Sequence, residues 1–567
     1  MMAASDRPVE VRRHSADGLV ELAPLSLPDL LEQVVATSPD APLIDFFGRS
    51  FSYGEVAALS RRVATGLAEL GIRPGDRVGL YLPNVPYYVA AYFGALRLGA
   101  VVVNLPLSSS AAELRRQAEE AGTRVVFTLA AAGLLPKAMG LLADGSPERL
   151  IVGSLTGCLS GGKALFQRLF GRGMLPMPPS GGRISSFDEL IDNDGSVPRI
   201  GVDAEQDTAL IQYRAEDGEA MRGAEFTHQA LTANARQIHL MCAEHWPDTT
   251  ERVVCALPLT DMFGQSCVLN RIIAKGGEMV MLSIARPFEM VAAIRRARAT
   301  CLPVTPALLW ALLDHPGLTR ADFASLKACL VVGAPLSQAL RERFERFSDA
   351  QLVEIYALPE AGIISCRRSG GRGKGGAIGR PLLATHVELA HRDDPGRQPA
   401  PGEPAEIIVR GPQLLKGYWR DVPPPFIMRG GQRWLLTGDV GTIDPDGHVR
   451  LLDRVRDTIS VTGFKVYPSQ IEAILRRHPA VGQAVVAGVA DHYAGELPKA
   501  FVTLAEGAVA SGAELRDWLN ARVGKHEQLV EVEIRESLPR DPVGRLDRRA
   551  LTSQEVSGEA APRSGAA

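Results

Sequence analysis

Cysteine is sparse in this chain of 567 residues: there are seven, at positions 158, 242, 255, 267, 301, 329 and 366, with no CxxC pair among them. Their odd number and scatter exclude a complete disulfide framework and predict reduced thiols, mostly in the core. Lysine is scarce too, so most of the 62 basic residues are arginine, and an arginine at an expected lysine position partly reflects that bias. Against 65 acidic residues the net charge is −3, which leaves no basic field and argues against nucleic acid as a partner. No apolar run approaches the ~20 residues of a membrane span, and the one at 101–107 is far too short. The opening stretch MMAASDRPVEVRRH is charged throughout and has no apolar signal-peptide core, so a cytoplasmic protein is expected.

What is present is an ordinary globular mixture, 46% hydrophobic and 22% charged, in a chain long enough to require at least two domains. Helical apolar spacing at 26–38, 53–70, 87–98 and 112–121 alternates with short buried-strand runs at 78–82, 100–104 and 124–128. Further strands are read at 207–213, 278–282 and 301–304, and helices at 227–242 and 289–298. This alternation predicts an α/β fold built on doubly wound, largely parallel sheets. The Gly-, Ser- and Pro-rich stretch 153–186 reads as a surface insertion, and its apolar patch at 164–170 leaves open peripheral membrane contact.

One stretch, TGDVGTIDPDGHVRLLDRVRDTISVTGFKVYPSQIE at 437–472, organises the rest. Asp444, Pro445, Asp446 and Gly447 form a tight-turn signal between apolar runs, which predicts a hairpin of 440–443 with 448–452. Arg454, Arg456 and Asp457 then break the pattern. A short strand at 458–461, a turn at Gly463 and a helix opening after Pro468 begin a new α/β unit.

The order TGD, DRVRD, GFKVYP, preceded by GEPAEIIVRGPQLLKGYW at 402–419, resembles the adenylate-forming superfamily, and within it the bacterial long-chain fatty acyl-CoA ligases. The resemblance runs from about residue 30 to about 551. It implies a large N-terminal domain (26–453), a small mobile C-terminal α/β domain (454–552) and an active site between them; a flexible N-terminus (1–25) and, from its Ser/Gly/Ala-rich composition, a disordered tail (553–567) are expected beside them. It further implies ATP or AMP, Mg²⁺ and CoA as cofactors and a fatty acid or other carboxylic acid as substrate. By the same resemblance Asp439 holds the ATP ribose, Arg454 assists it, and Arg456 is the hinge about which the small domain swings. Gly333, Ala334 and Pro335 lie against adenine, Tyr356 forms its wall, Glu360 ligates Mg²⁺, and Gly463 belongs to the CoA tunnel. LPLTDMFG at 257–264 is similar to the acyl gate, so Asp261 and Phe263 are expected in the substrate pocket, with Val304 on the acyl wall.

The departures are as informative as the matches. Where the family carries a Ser/Thr/Gly-rich loop ending in Pro-Lys-Gly around the ATP phosphates, this chain reads RAEDGEAMRG. Arg214 and Ala215 replace hydroxyls, Glu216, Asp217 and Glu219 add three carboxylates, only Gly218 stays small, and Arg222 stands for the lysine. A carboxylate ~6 Å from a phosphate charge costs roughly 3 kcal/mol at an effective dielectric near 20, and less once screened. Even ~1 kcal/mol per acid lowers ATP affinity about a hundredfold over three; the alternative is that the acids turn outward into solvent. At the gate, Thr260 and Asp261 replace an aromatic and an imidazole. Ile355, Ala357 and Pro359 replace two glycines and a threonine beside Tyr356. Arg545 stands where the adenylating lysine belongs, and a planar fork does not reproduce a point donor.

Two classes of function follow. One is an AMP-forming fatty acyl-CoA ligase with impaired adenylation, the catalytic set being Arg545, Glu360 and Arg222. The other is a repurposed, non-catalytic relative that binds acyl groups, nucleotide or a partner protein. Substitutions gather at phosphate-facing positions while Asp439, Arg454, Tyr356 and Glu360 persist. That pattern favours impaired adenylation over uniform drift.

Overall fold

The structure is a computed structural model that describes residues 11–13, 20–144, 147–159, 175–213, 222–243, 251–334, 336–368, 377–391, 394, 396–420, 423–444, 448–462, 464–491, 495–540, 546–548 and 550–552. It divides into two compact units. One comprises Met1–Gly371, Gly379–His386 and Arg410–Pro424, and the other Arg372–Ile378, Val387–Val409 and Pro425–Ala567.

The first unit is built on two large sheets, as the βα alternation requires. In the eight-stranded sheet, Thr208–Tyr213, Val101–Asn104, Arg77–Leu80, Thr123–Leu129, Arg149–Gly153 and Ile184–Ser186 lie in that order, all parallel, and antiparallel Gly223–Thr227 and Gly417–Tyr418 extend one edge. In the nine-stranded sheet the parallel core runs Gln351–Leu358, Ala328–Val331, Cys301–Val304, Arg252–Cys255, Glu278–Met281 and Pro42–Phe46, with antiparallel strands at both edges. Strands such as Val101–Asn104 and Ala328–Val331 are buried at every position, the mark of a parallel strand covered on both faces.

The helices start where their caps dictate. Ser52 and Glu55 form a capping box at Tyr53–Glu69, as do Ser110 and Glu113 at Ala111–Ala121, each worth roughly 1 kcal/mol. Part of the stretch expected to be a flexible N-terminus is instead tied down. Val11–Arg13 pairs with Val20–Leu22, and Gln229 and Arg236 of the helix His228–Ala243 donate to the carbonyls of Leu22 and Ala23. Those buried amide and guanidinium donors need acceptors, and this backbone supplies them.

The second unit holds two five-stranded sheets. His386–Ala390, Ala405–Arg410, Gln432–Ile443 and Phe426–Arg429 form the first, with Val449–Arg454 paired onto Gln432–Ile443. That last pair is the expected hairpin, although its turn at 445–447 lies outside the described residues. A 3₁₀ turn, Val455–Asp457, then carries the chain into the second sheet, Phe464–Val466, Ile459–Val461, Gly495–Leu504, Val481–Asp491 and Glu531–Ile534. Helices Pro468–Leu475 and Gly512–Asn520 cover it through Ile471, Leu475, Leu515 and Leu519. The chain thus changes sheets at Val455–Asp457. The compact unit nevertheless takes in the sheet before it, because Ser469 donates to Asp453 and to the Leu452 carbonyl and Arg548 spans Asp453, Asp457 and Glu472.

The seven cysteines are all free and buried. Among the described residues, no helix is long and apolar enough to cross a membrane. The patch at 164–170 lies outside the described residues.

Candidate active site

In an open parallel sheet, ligands bind outside the carboxyl ends of the strands. Four neighbouring strands of the nine-stranded sheet end in the predicted site residues. Arg252–Cys255 runs into the gate segment 257–264, Cys301–Val304 ends at Val304, Ala328–Val331 runs into Gly333 and Ala334, and Gln351–Leu358 carries Tyr356 and turns at Glu360. Gly333 has a φ of +94°, so the tight exit from its strand needs a residue without a Cβ.

Glu360 and Arg222 come together through a residue that the sequence reading passed over. The Tyr418 hydroxyl donates to Glu360 Oε1 at 3.3 Å, and the Arg222 guanidinium lies 5.6 Å from the Tyr418 ring centre. Backbone pairing enforces this arrangement: Gly417–Tyr418 is hydrogen-bonded along Gly223–Thr227, the strand that follows Arg222, with Ala224 opposite Tyr418. Arg222 is solvent-exposed. In the sequence this tyrosine belongs to LLKGYW, and nothing local marks its role.

In the second unit, Asp439 and Arg454 are directly opposite one another on paired strands, with Arg454 Nε 3.6 Å from Asp439 Oδ1. The TGD sequence makes a bulge. Glu406 pairs with Val440 and Ile408 with Leu436, so three residues, 437–439, face one, Ile407. Gly438 takes a φ of +72°, Thr437 Oγ1 donates to the Ile407 carbonyl, and Gly438 N donates to Glu406. A bulge re-aims the side chain that follows it. Arg456 lies in the 3₁₀ turn beyond, 3.9 Å from Asp457.

At the gate, Asp261 caps the short helix Met262–Gly264 through the Phe263 amide. Asp261 is exposed, and desolvation raises its carboxyl pKa against the lowering effect of the Phe263 N–H. Phe263 is half-buried beside it. Val304, expected on the acyl wall, is instead fully buried in the core with Val254, Leu309 and Val331. It supports the neighbouring Thr305, which caps the next helix. A surface groove of about 520 Å³ lined by Trp310, Glu342, Arg343 and Phe347 contains none of these residues. Gly218, Pro335, Gly463 and Arg545 lie outside the described residues, as do the three acids Glu216, Asp217 and Glu219.

Residues 31–165 and 221–419 match the AMP-binding enzyme family, and 470–545 match the AMP-binding enzyme C-terminal domain. The chain is 32% identical to a long-chain-fatty-acid–CoA ligase of Bacillus subtilis, covering 94% of this chain and 95% of that one. It is 30% identical to a long-chain-fatty-acid–CoA ligase of Escherichia coli O157:H7, covering 96% and 98%. The chain belongs to the AMP-binding enzyme family.

Among solved structures of AMP-binding enzymes, ATP-bound MatB from Rhodopseudomonas palustris superposes with a TM-score of 0.78 at 23% identity, covering 94% of this chain and 99% of that one. That likeness establishes the shared fold. The amide bond synthetase McbA from Marinactinospora thermotolerans is similar at 26% identity and a TM-score of 0.75, covering 93% and 99%. Enzymes of this family act on carboxylic acids with ATP and CoA, typically with Mg²⁺. Among the described residues no group of three or more His, Cys, Asp or Glu is placed to hold a metal. A lone carboxylate such as Glu360 suits Mg²⁺ that is held chiefly by substrate phosphates and water.

Proposed function

We propose that this AMP-binding enzyme family member is an AMP-forming fatty acyl-CoA ligase whose adenylation step is weakened. The observation that carries the reading is where the sequence departs: acids in the phosphate loop and arginine at 545, beside a retained Tyr356, Glu360, Asp439 and Arg454. Asp439 and Arg454 hold the ribose side, Tyr356 the adenine, and the acyl carboxylate enters by way of the gate at Asp261 and Phe263. Oriented there, the carboxylate attacks the α-phosphorus of ATP, pyrophosphate leaves, and the CoA thiol then displaces AMP from the acyl adenylate. Glu360 would hold Mg²⁺, which would supply charge neutralisation on the phosphates. Arg222, stacked on Tyr418, supplies a further cation, with Arg545 in the place of the adenylating lysine. Positioning and charge complementarity carry such a step, so three misplaced negative charges weaken it directly.

The same acids favour a second reading, a non-catalytic acyl or nucleotide binder. Pyrophosphate release with a panel of fatty acids, in the presence of CoA and Mg²⁺, separates them. Slow release that requires a fatty acid supports the weakened ligase. No release with any acid, while AMP or fatty acid still binds, supports the binder. Turnover in the range typical of enzymes, ~1 to 1000 per second, contradicts the impairment.

A further inference from the structure

The groove of about 520 Å³ beside the helix Gln338–Phe347 contains no residue of the site described above. That helix turns Leu340 and Phe344 into the core. Ala339, Glu342, Arg343, Arg346 and Phe347 line the groove instead, at i, i+3, i+4, i+7 and i+8, the spacing of a single helical face. Trp310, from the neighbouring helix Pro306–Leu313, completes the lining. Trp310 and Phe347 are half-buried and packed against the core, so the groove has an aromatic floor that stays open to water.

The polar groups are sorted along the helix. Arg343 is fixed in place: its guanidinium donates to the Leu313 carbonyl at 3.2 Å, pairs with Asp314 at 2.5 Å and lies 5.5 Å from the Trp310 ring centre. Glu342 is exposed and accepts from Gln338 at 2.9 Å. Arg346 is exposed one turn further on, ~6 Å along the axis. Among the described residues its guanidinium makes no hydrogen bond or ion pair. Its backbone carbonyl accepts from Arg320 at 3.1 Å, which holds this end of the helix.

An unpaired cation at the edge of an aromatic floor complements an anion that carries a flat apolar body. The rings leave water against Trp310 and Phe347, and the acid group gains a charge-assisted pair at Arg346. Arg343, already neutralised by Asp314, offers its plane rather than its charge. Glu342 repels a second acid group at the other end and favours a hydroxyl or amine donor there. The volume suits one small molecule.

We propose that this groove is a second ligand site, for an aromatic acid with a hydroxyl or amine donor at the end opposite its acid group. The site stands independently of the ligase reading, since it shares no residue with the active site.

The probe is 6-hydroxynaphthalene-2-sulfonate, whose acid group pairs with a guanidinium but cannot form an acyl adenylate. It is titrated into the full chain and followed by its own fluorescence. Saturable sub-millimolar binding is expected. Arg346→Ala, at an exposed helical position, weakens it about tenfold or more with the melting temperature unchanged. Trp310→Leu weakens it similarly, and 2-naphthol, which lacks the acid group, binds the wild type at least about tenfold more weakly than the probe does. Should Trp310→Leu not fold, Arg346→Ala and 2-naphthol decide. No saturable binding up to about 1 mM overturns the proposal. Binding that either folded variant leaves unchanged overturns it too, because the probe then sits elsewhere. Equal affinity for 2-naphthol removes the anion from the assignment, and the proposal with it.

Discussion

His228 shows how one residue links packing to solution behaviour. It is 1% exposed, and its Nδ1 accepts from the Leu27 amide, which requires the neutral ring. Burial pushes its pKa down to about 4, against the upward pull of Asp207 and Asp29. Below the ordinary value of 6.5 the unfolded chain takes up a proton that the folded chain refuses, so stability falls as pH drops from 6.5 towards 4 and is unaffected above 6.5. By pH 5 the loss from this group is about 2 kcal/mol. His228→Gln, which keeps an acceptor but does not titrate, is expected to flatten that part of the profile in urea midpoints measured at pH 7 and pH 5. An equal slope in the variant would remove His228 as the cause. Nothing local in the sequence marks His228 as an acceptor, because that role depends on Leu27, some two hundred residues away.

Among the elements, the bulge at 437–439 makes the sharpest claim. Gly438 has a φ of +72° and no atom within 4 Å of where a Cβ would sit, so Gly438→Ala meets conformational rather than steric cost, about 1–2 kcal/mol. If the bulge aims Asp439, the larger effect will be on nucleotide affinity, with AMP binding weakened well beyond the change in melting temperature; AMP binding equal to wild type would show that Asp439 is aimed otherwise. Elements of this kind were only half legible. Helices such as Leu27–Thr37 and strands such as Cys301–Val304 followed from periodicity and caps within a dozen residues. Thr437, Gly438 and Asp439 stood out as a motif, but the bulge itself arises from pairing with Ala405–Arg410, which no local pattern encodes. Tyr418 escaped for the same reason, since its place beside Glu360 comes from the register against Gly223–Thr227.

For the molecule as a whole, the account divides labour between a retained adenosine side and a weakened phosphate side, and the two should respond separately to substitution. Changing Glu216, Asp217 and Glu219 to Gly, Thr and Gly removes ground-state repulsion, so the apparent KM for ATP should fall by about a hundredfold with turnover little changed. Arg545→Lys acts on charge that develops during transfer and should raise turnover with KM little changed. Steady-state pyrophosphate kinetics on both variants would show the split, and identical effects on the two parameters would deny it. The most direct test of the division is a calorimetric comparison of AMP with Mg·ATP on the unmodified chain. The account predicts that AMP binds at least as tightly as Mg·ATP, because the β- and γ-phosphates meet the acids rather than a cradle of donors. ATP binding much tighter than AMP would mean that the loop from Arg214 to Arg222 still grips phosphates, and would contradict it.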